Sequence, residues 1–517
     1  MNRAKDKGKK SPPAGLVERA LVGPLQYLTD RIALKEHSDS RSANESIFLG
    51  HSPHLYNRKL VEGISLPPES LLKHAYLIGS TGSGKTYLIL RMILELARLG
   101  HGFGLLDIEG DLSQRVIKHL ASMATTKHRL EEIEDRVVLI ELFNHDFAPA
   151  FNPLSARDLQ DAYRQSLDML GIFKRIWQDV SWGARMEELL RNLLLTLSLS
   201  GLTLGEAQRF LVEPDFRQTT VERIPDQDLR LYWNSRFGSL SDKMKSVYAE
   251  PVLNKITVFT ADPLIRHVIS QKKSSIDFRA LMDKRKWVVV NVSKGALSEN
   301  AYLLGSLFVS KINYAALSRA NQPEKVRVPF FLFVDEFQNF MGHNFEEILS
   351  EARKYRLGLI LAHQNLAQVR PRMRESIFGN VGTLLFFRLG HNDISEISGE
   401  FPRSEQSLLK ATLSTLEVGE VVKREPDGNF RKVKIQAMGW VQGDPAKIQA
   451  IRQASIDRYY RKRSDIDQER KQPERTAILR QAKTAPEKPK ANPSAIQNAK
   501  DNRSLSPKDN DVQEGIL

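Results

Sequence analysis

The run Gly79-Ser80-Thr81-Gly82-Ser83-Gly84-Lys85-Thr86 combines the residue types needed to hold a chain of phosphates. Its glycines let the backbone curl until successive N–H groups point inward, toward negative charge. Lys85 supplies a cation long enough to reach the outer phosphates, and the Thr86 hydroxyl suits the shell of a divalent metal. The chemistry this implies is binding of ATP with Mg2+. Gly79, Ser80, Thr81, Gly82, Ser83, Gly84, Lys85 and Thr86 are therefore read as the nucleotide loop, with Thr86 also on the metal.

A second pair of groups, Asp335-Glu336, ends the apolar run Phe330-Phe331-Leu332-Phe333-Val334. Side chains alternate along a strand, so two adjacent acids cannot share one role. Asp335 suits the Mg2+ shell, and Glu336 suits polarising the water that attacks the terminal phosphate. A solvated strand end is the plain alternative, and the loop at Lys85 argues against it. Gln364 follows the apolar run Leu357-Gly358-Leu359-Ile360-Leu361 and is a candidate sensor of the γ-phosphate, or else a polar strand end. Arg353, in Glu351-Ala352-Arg353-Lys354-Tyr355-Arg356, reads either as a cation complementing a helix C-terminus or as an arginine finger. Lys294 reads as a solvated loop lysine rather than a phosphate contact.

These groups need a scaffold. Ala75–Ile78 runs straight into the glycine loop, and Tyr87–Leu99 carries helical spacing after it, so the loop sits between a strand and a helix N-terminus. Further β-rich runs fall at 104–106, 137–140, 287–292, 330–334, 357–361 and 383–387, alternating with helical segments, the pattern of a parallel α/β sheet. From Ser155 to Ser274 such runs stop and helical spacing takes over, which predicts an all-helical insertion. Glu420–Arg424 and Asn429–Met438 flank Pro426-Asp427-Gly428 and predict a terminal β-hairpin. Residues 49–71 look irregular. Residues 1–20 carry six basic and two acidic side chains and read as a disordered arm, followed by an amphipathic segment over 16–34. Residues 457–517, rich in Lys, Arg, Gln, Pro and Asn, read as a solvated tail with a weak helical stretch at 476–482. The expected division is an arm and amphipathic segment (1–45), core (46–154), helical insertion (155–274), core (275–440) and a helical extension with charged tail (441–517).

Over 517 residues, 76 Lys+Arg against 62 Asp+Glu give +14, enough to attract polyanions where it gathers on one surface. The hydrophobic fraction of 41% and charged fraction of 27% are those of a globular protein. No cysteine occurs, which excludes disulfides, thiolate metal sites and cysteine nucleophiles and fits a reducing cytoplasm. No apolar run approaches the length of a bilayer span, so the expected location is cytoplasmic, with any membrane association peripheral at the inner membrane.

The order of motifs resembles the HerA/FtsK superfamily, and most closely the TraG/TraD-like coupling ATPases of conjugation and type IV secretion. The matching stretches are Gly79–Thr86, Leu105–Leu112, Phe151-Asn152-Pro153-Leu154, Trp182–Glu187, Asp335–Phe340, Ser350–Tyr355 and Leu361–Asn365. The resemblance implies a RecA-like core, a hexameric ring with ATP at subunit interfaces, and DNA in a central channel. It also implies relaxase and secretion-channel components as partners. Carried over, Lys85 and Thr86 bind nucleotide and Mg2+, Asp335 and Glu336 form the acidic pair, Gln364 is the sensor, and Arg353 reaches the neighbouring subunit's ATP. Arg388 is a further catalytic cation.

Two features depart from that pattern. Ile108-Glu109 stands where the family usually has Pro-Lys after the second strand, and the usual N-terminal membrane helices are not seen. Besides a DNA-translocating coupling ATPase, two functions fit the same residues: a soluble HerA-like helicase or translocase working with a nuclease, and a nucleotide-dependent adaptor that recruits protein substrates.

Overall fold

Phe330-Phe331-Leu332-Phe333-Val334 is apolar at every position because both faces of its strand are covered. Phe330, Leu332 and Val334 join one core, with the helices of the insertion, whereas Phe331 and Phe333 join a second, with the helix Lys85–Arg98. Ala75–Ile78 divides in the same way: Tyr76 and Ile78 face the first core, Ala75 and Leu77 the second. Burial of each large apolar side chain stabilises by roughly 1.5–3 kcal/mol.

The computed structural model describes residues 45–470 apart from 54–60, 178–181, 299, 341–344, 437 and 440. One compact unit runs to Ile466, and a second begins at Asp467, of which the described residues 467–470 are helical. The expected basic arm, the amphipathic segment over 16–34 and the tail beyond 470, with its stretch at 476–482, lie outside the described residues.

The strands are β1 (Ile47–Pro53), β2 (Val61–Leu66), β3 (Ala75–Ile78), β4 (Gly102–Asp107), β5 (Val137–Glu141), β6 (Phe147–Pro149) and β7 (Trp287–Asn291). They continue with β8 (Phe330–Val334), β9 (Leu357–His363), β10 (Thr383–Phe386), β11 (Glu420–Arg424), β12 (Phe430–Ile435) and β13 (Tyr460–Lys462). Eleven strands form one sheet in the order β2-β1-β12-β11-β10-β3-β9-β8-β4-β7-β5. From β10 to β5 every neighbour is parallel. The hairpin β11–β12 joins β10 antiparallel and carries β1 and β2 beyond it.

Between Ser155 and Ser274 the described residues contain helices and no strand, beginning with Leu159–Ile176 and Ala184–Leu199. Residues 49–71, which look irregular in sequence, instead contribute β1 and β2. The signal is hidden because Gly50 replaces an apolar residue: a Cβ there would lie 2.1 Å from the Lys434 carbonyl oxygen of β12, so only glycine allows the strands to meet.

The segment from Asp457 is also not a simple solvated tail at its start. The helix Pro445–Tyr459 leads into β13, which pairs antiparallel with β6. Ser455 and Tyr460 act as a substitute strand along the outer edge of β5. Ser455 Oγ accepts the Leu139 N–H at 3.1 Å, and the Tyr460 hydroxyl accepts the Glu141 N–H at 2.7 Å and donates to the Leu139 carbonyl at 3.0 Å. Arg452 pairs with Glu141 through two contacts of 2.9 and 3.1 Å. A polar, charged stretch looks solvated by composition, yet here its polar groups satisfy an otherwise open sheet edge.

Candidate nucleotide site

Parallel strands end on one side of the sheet, so the loops that follow them converge there. Register places Ile78 beside His363, and Val334 beside both Leu361 and Leu106. Gly79, Gln364, Asp335 and Asp107 therefore emerge together.

The glycine loop is held from several sides. Gly79 N donates to the His363 carbonyl at 3.3 Å, Ser80 N to the Arg388 carbonyl at 2.8 Å, and Gly419 N to the Ser83 carbonyl at 3.0 Å. Gly82 and Gly84 have φ of 74° and 111°, a region that side chains rarely adopt. At Gly79 a Cβ would fall 2.4 Å from that of Phe387. Lys85 opens the following helix and is only 7% exposed. Its ammonium donates to the carbonyls of Gly79 and Ser80, inside the curl. The hydroxyls of Ser80 and Ser83 are buried without a protein partner. A loop with inward cation, free hydroxyls and a helix N-terminus fits the phosphates of a nucleotide.

Facing it, Glu336 adopts φ 50° and ψ 46°, left-handed geometry that costs a non-glycine residue on the order of 1–3 kcal/mol. That backbone directs its carboxylate to Gln364. Gln364 Nε2 donates to Glu336 Oε1 at 3.0 Å, and the Thr81 hydroxyl donates to Gln364 Oε1 at 3.1 Å. Gln338 Nε2 donates to the other oxygen, Glu336 Oε2, at 2.8 Å. The chain Thr81–Gln364–Glu336–Gln338 thus joins the nucleotide loop to the acidic pair. Gln338 was not singled out by sequence; its signal is a position two residues beyond Glu336.

Burial, then the charges of Glu336 and Asp107, push the Asp335 carboxyl up to about 7, with Lys85 opposing. Burial likewise pushes Lys85 below the usual lysine range, with Glu336 and Asp335 opposing. Acids crowded together away from water fit a divalent cation, which would offset their mutual repulsion. Thr86 and Asp335 would hold Mg2+, whose remaining ligands are normally water and phosphate oxygens. Asp107, part of the matching stretch Leu105–Leu112 but given no role there, is already engaged: its carboxylate accepts the N–H groups of Glu109, Gly110 and Ser113 at 3.1, 2.9 and 2.7 Å. It shapes the turn in which Ile108-Glu109 departs from the family pattern.

Of the remaining candidates, Arg353 lies apart and Arg388 borders the loop. Arg353 is exposed in the short turn Ala352–Tyr355, which precedes β9, whereas Gln364 follows β9. A strand of that length separates them by about 20 Å at roughly 3.3 Å per residue, so Arg353 is remote from its own chain's loop. Arg388 is exposed two residues after β10, and its carbonyl receives Ser80 N. Lys294 sits 5.2 Å from the ring centre of Tyr302, a cation–π contact.

The fold is that of RecA-like P-loop NTPases. Residues 329–407 match the family model described as the TraM recognition site of TraD and TraG. That segment contains β8, Asp335-Glu336, β9 and Gln364, and so includes half of the site. Among solved structures, the plasmid coupling protein TrwB with the GTP analogue GDPNP is similar at TM-score 0.54 and 15% identity, over 74% of this chain and 90% of that one. TrwB with ADP and Mg2+ gives TM-score 0.50 and 14% identity over 74% and 90%. VirB4 of Thermoanaerobacter pseudethanolicus gives TM-score 0.50 and 13% identity over 78% and 98%. At such identities the likeness speaks to the fold. No curated protein sequence matches the chain. Among the described residues no helix is long and apolar enough to cross a membrane.

Proposed function

We propose that this chain hydrolyses ATP with Mg2+ and uses the energy to translocate DNA, as a ring-shaped, hexameric coupling ATPase in conjugative or type IV secretion transfer. The observation that carries the reading is the hydrogen-bonded path from Thr81 through Gln364 to Glu336, beside Lys85. It joins Glu336, read as the base, and Gln364, read as the γ-phosphate sensor, to the phosphate loop, which supports phosphoryl transfer as the chemistry. Glu336 would orient and polarise the attacking water, Lys85 would offset charge on the β and γ phosphates, and Thr86 and Asp335 would hold the metal.

The nucleotide- and Mg2+-bound forms of TrwB support the cofactor assignment. The formal charge of +14 supports a polyanionic substrate. The position of Arg353, far from its own loop, supports a ring in which it serves the neighbour's ATP. Relaxase and secretion-channel components are the proposed partners, with the protein on the cytoplasmic side and peripheral at the inner membrane.

The test is the ATPase rate of the full chain with and without single- and double-stranded DNA, alongside Lys85→Ala. DNA should accelerate turnover and Lys85→Ala should abolish it. A rate indifferent to DNA would favour the protein-recruiting adaptor, and undiminished turnover in Lys85→Ala would remove the site assignment.

A further inference from the structure

Beneath the site lies a polar contact inside an otherwise apolar layer. Tyr76 on β3 and His363, the last residue of β9, are both 0% exposed, and the Tyr76 hydroxyl lies 2.5 Å from His363 Nε2. Their ring centres are 5.2 Å apart. Phe337, which follows Glu336, meets both rings edge-on, at 6.3 Å from Tyr76 and 5.1 Å from His363. Three strand ends, those carrying the phosphate loop, the acidic pair and Gln364, thus meet in one aromatic cluster.

The plain account is a core tyrosine with a satisfied hydroxyl. Packing alone, however, would be met by phenylalanine and leucine, which bury no polar group. His363 also occupies a special place: its carbonyl holds Gly79 N, and the next residue is Gln364. The loop beyond Gln364 is fastened from its other side, where Asp393 accepts Leu366 N at 3.2 Å and Arg374 Nε donates to the Val369 carbonyl at 2.8 Å. Gln364 therefore hangs between two clamps, of which the Tyr76–His363 contact is the inner one.

We propose that Tyr76 and His363 are a positioning pair whose hydrogen bond fixes where β9 ends, and so aims Gln364 at Glu336 and the γ-phosphate. The inference rests on the reading of Gln364 as part of the hydrolytic site. Both groups are locked in the required protonation states. Burial, reinforced by the charge of Lys85, pushes His363 down to about 3, so its ring is neutral and can accept. Burial, with Asp393 adding to it, pushes the Tyr76 hydroxyl well above its ordinary range, so it keeps its proton and donates. Removing the bond frees the histidine ring to turn and the following amide to drift, and small misplacements of reacting groups cost rate much more than binding.

The experiment measures kcat and KM for Mg-ATP, with the thermal midpoint, on full-length Tyr76→Phe, Gln364→Ala and the double variant. Tyr76→Phe keeps the ring and removes only the hydroxyl. We expect kcat to fall on the order of tenfold with KM within about twofold. In the Gln364→Ala background the same change should lower kcat no further, because its route is already cut. His363→Gln, whose amide oxygen can accept from Tyr76, should retain more turnover than His363→Leu when both are assayed well below their thermal midpoints. Wild-type kcat in Tyr76→Phe, or a loss that multiplies in full on Gln364→Ala, would overturn the proposal. If Gln364→Ala is impaired and Tyr76→Phe is not, only the pair is refuted. If Gln364→Ala turns over normally, the assignment of Gln364 fails, and the positioning role fails with it.

Discussion

Gln364 donates its amide N–H to Glu336 Oε1 at 3.0 Å, joining the end of β9 to the acid that follows β8. The contact fixes the direction of the Glu336 carboxylate while the second oxygen is held by Gln338. A carboxylate pinned by two amides can turn a water toward a phosphate and accept its proton as the bond forms. Glu336→Gln should keep nucleotide binding and lower turnover by about 10²–10⁴, the usual worth of a general base. Equilibrium binding of a fluorescent ATP analogue, with single-turnover hydrolysis, checks both halves. Loss of binding in this variant would count against its division of labour with Asp335.

A second consequence concerns acid. His74 is 1% exposed, accepts the Leu359 N–H at Nδ1 and meets the Leu349 carbonyl with Nε2, each at 3.0 Å. Such an arrangement needs a neutral ring protonated on Nε2. Burial, with Arg353 adding to it, pushes this histidine from 6.5 down to about 4, against the Leu349 contact. Because the folded value lies below the unfolded one, the stability it contributes is complete above about pH 6.5 and is lost as pH falls toward 4. His363 shifts in the same sense, to about 3. The His74 contribution should therefore fall by roughly 1–2 kcal/mol between pH 6.5 and 5, while the Asp335 carboxyl, raised to about 7, works in the opposite sense, so the His74 part is read as the difference in pH slope between wild type and a variant lacking this ring. His74→Asn, which removes the titrating ring, should flatten part of that slope while lowering the midpoint at pH 7. Equal pH slopes in the wild type and His74→Asn across the window would contradict this account.

Much of this arrangement was written in the sequence, for identifiable reasons. The strands β3, β8 and β9 are short apolar runs with polar residues at their C-terminal ends, and a buried parallel sheet needs such runs. Polar residues at those ends stand out against the apolar runs, so Lys85, Asp335, Glu336 and Gln364 were visible before their geometry was. Asp107 and Gln338 were not, since an acid shaping a turn and an amide beside a carboxylate have no distinctive spacing. Nor was β1, where a close backbone approach demands glycine in place of the apolar residue that marks a strand. The Tyr460 contact was hidden for the opposite reason: composition describes a segment, whereas one hydroxyl can satisfy an edge.

That edge provides a stability test. The Tyr460 hydroxyl serves two main-chain groups of β5, the Glu141 N–H and the Leu139 carbonyl. Tyr460→Phe keeps the ring and leaves both without this partner, and a buried unsatisfied polar group costs about 1–3 kcal/mol. Thermal or urea unfolding should register a loss of that size, with ATP turnover below the transition little changed because the site is at other strand ends. An unchanged midpoint would mean that water replaces the hydroxyl at no cost.

Arg353 tests assembly and mechanism together. It precedes β9 while Gln364 follows it, so the length of a strand lies between this guanidinium and the phosphate loop of its own chain. Across a subunit interface, the same exposed cation could stabilise charge on a neighbour's γ-phosphate, an effect worth about 10³–10⁵ in rate for an arginine finger. Arg353→Ala should then keep ATP binding and lose most turnover. Mixing it with Lys85→Ala protein should restore some activity, because mixed rings contain interfaces where an intact Lys85 loop meets an intact Arg353. The competing account is a cation favoured by the end of the preceding helix, which predicts a stability loss of about 0.3–1 kcal/mol and little kinetic effect. Mixtures shown by native mass spectrometry to co-assemble yet remaining inactive would reject the trans role. A fully active Arg353→Ala would reject any catalytic role, leaving the guanidinium as a helix-end charge.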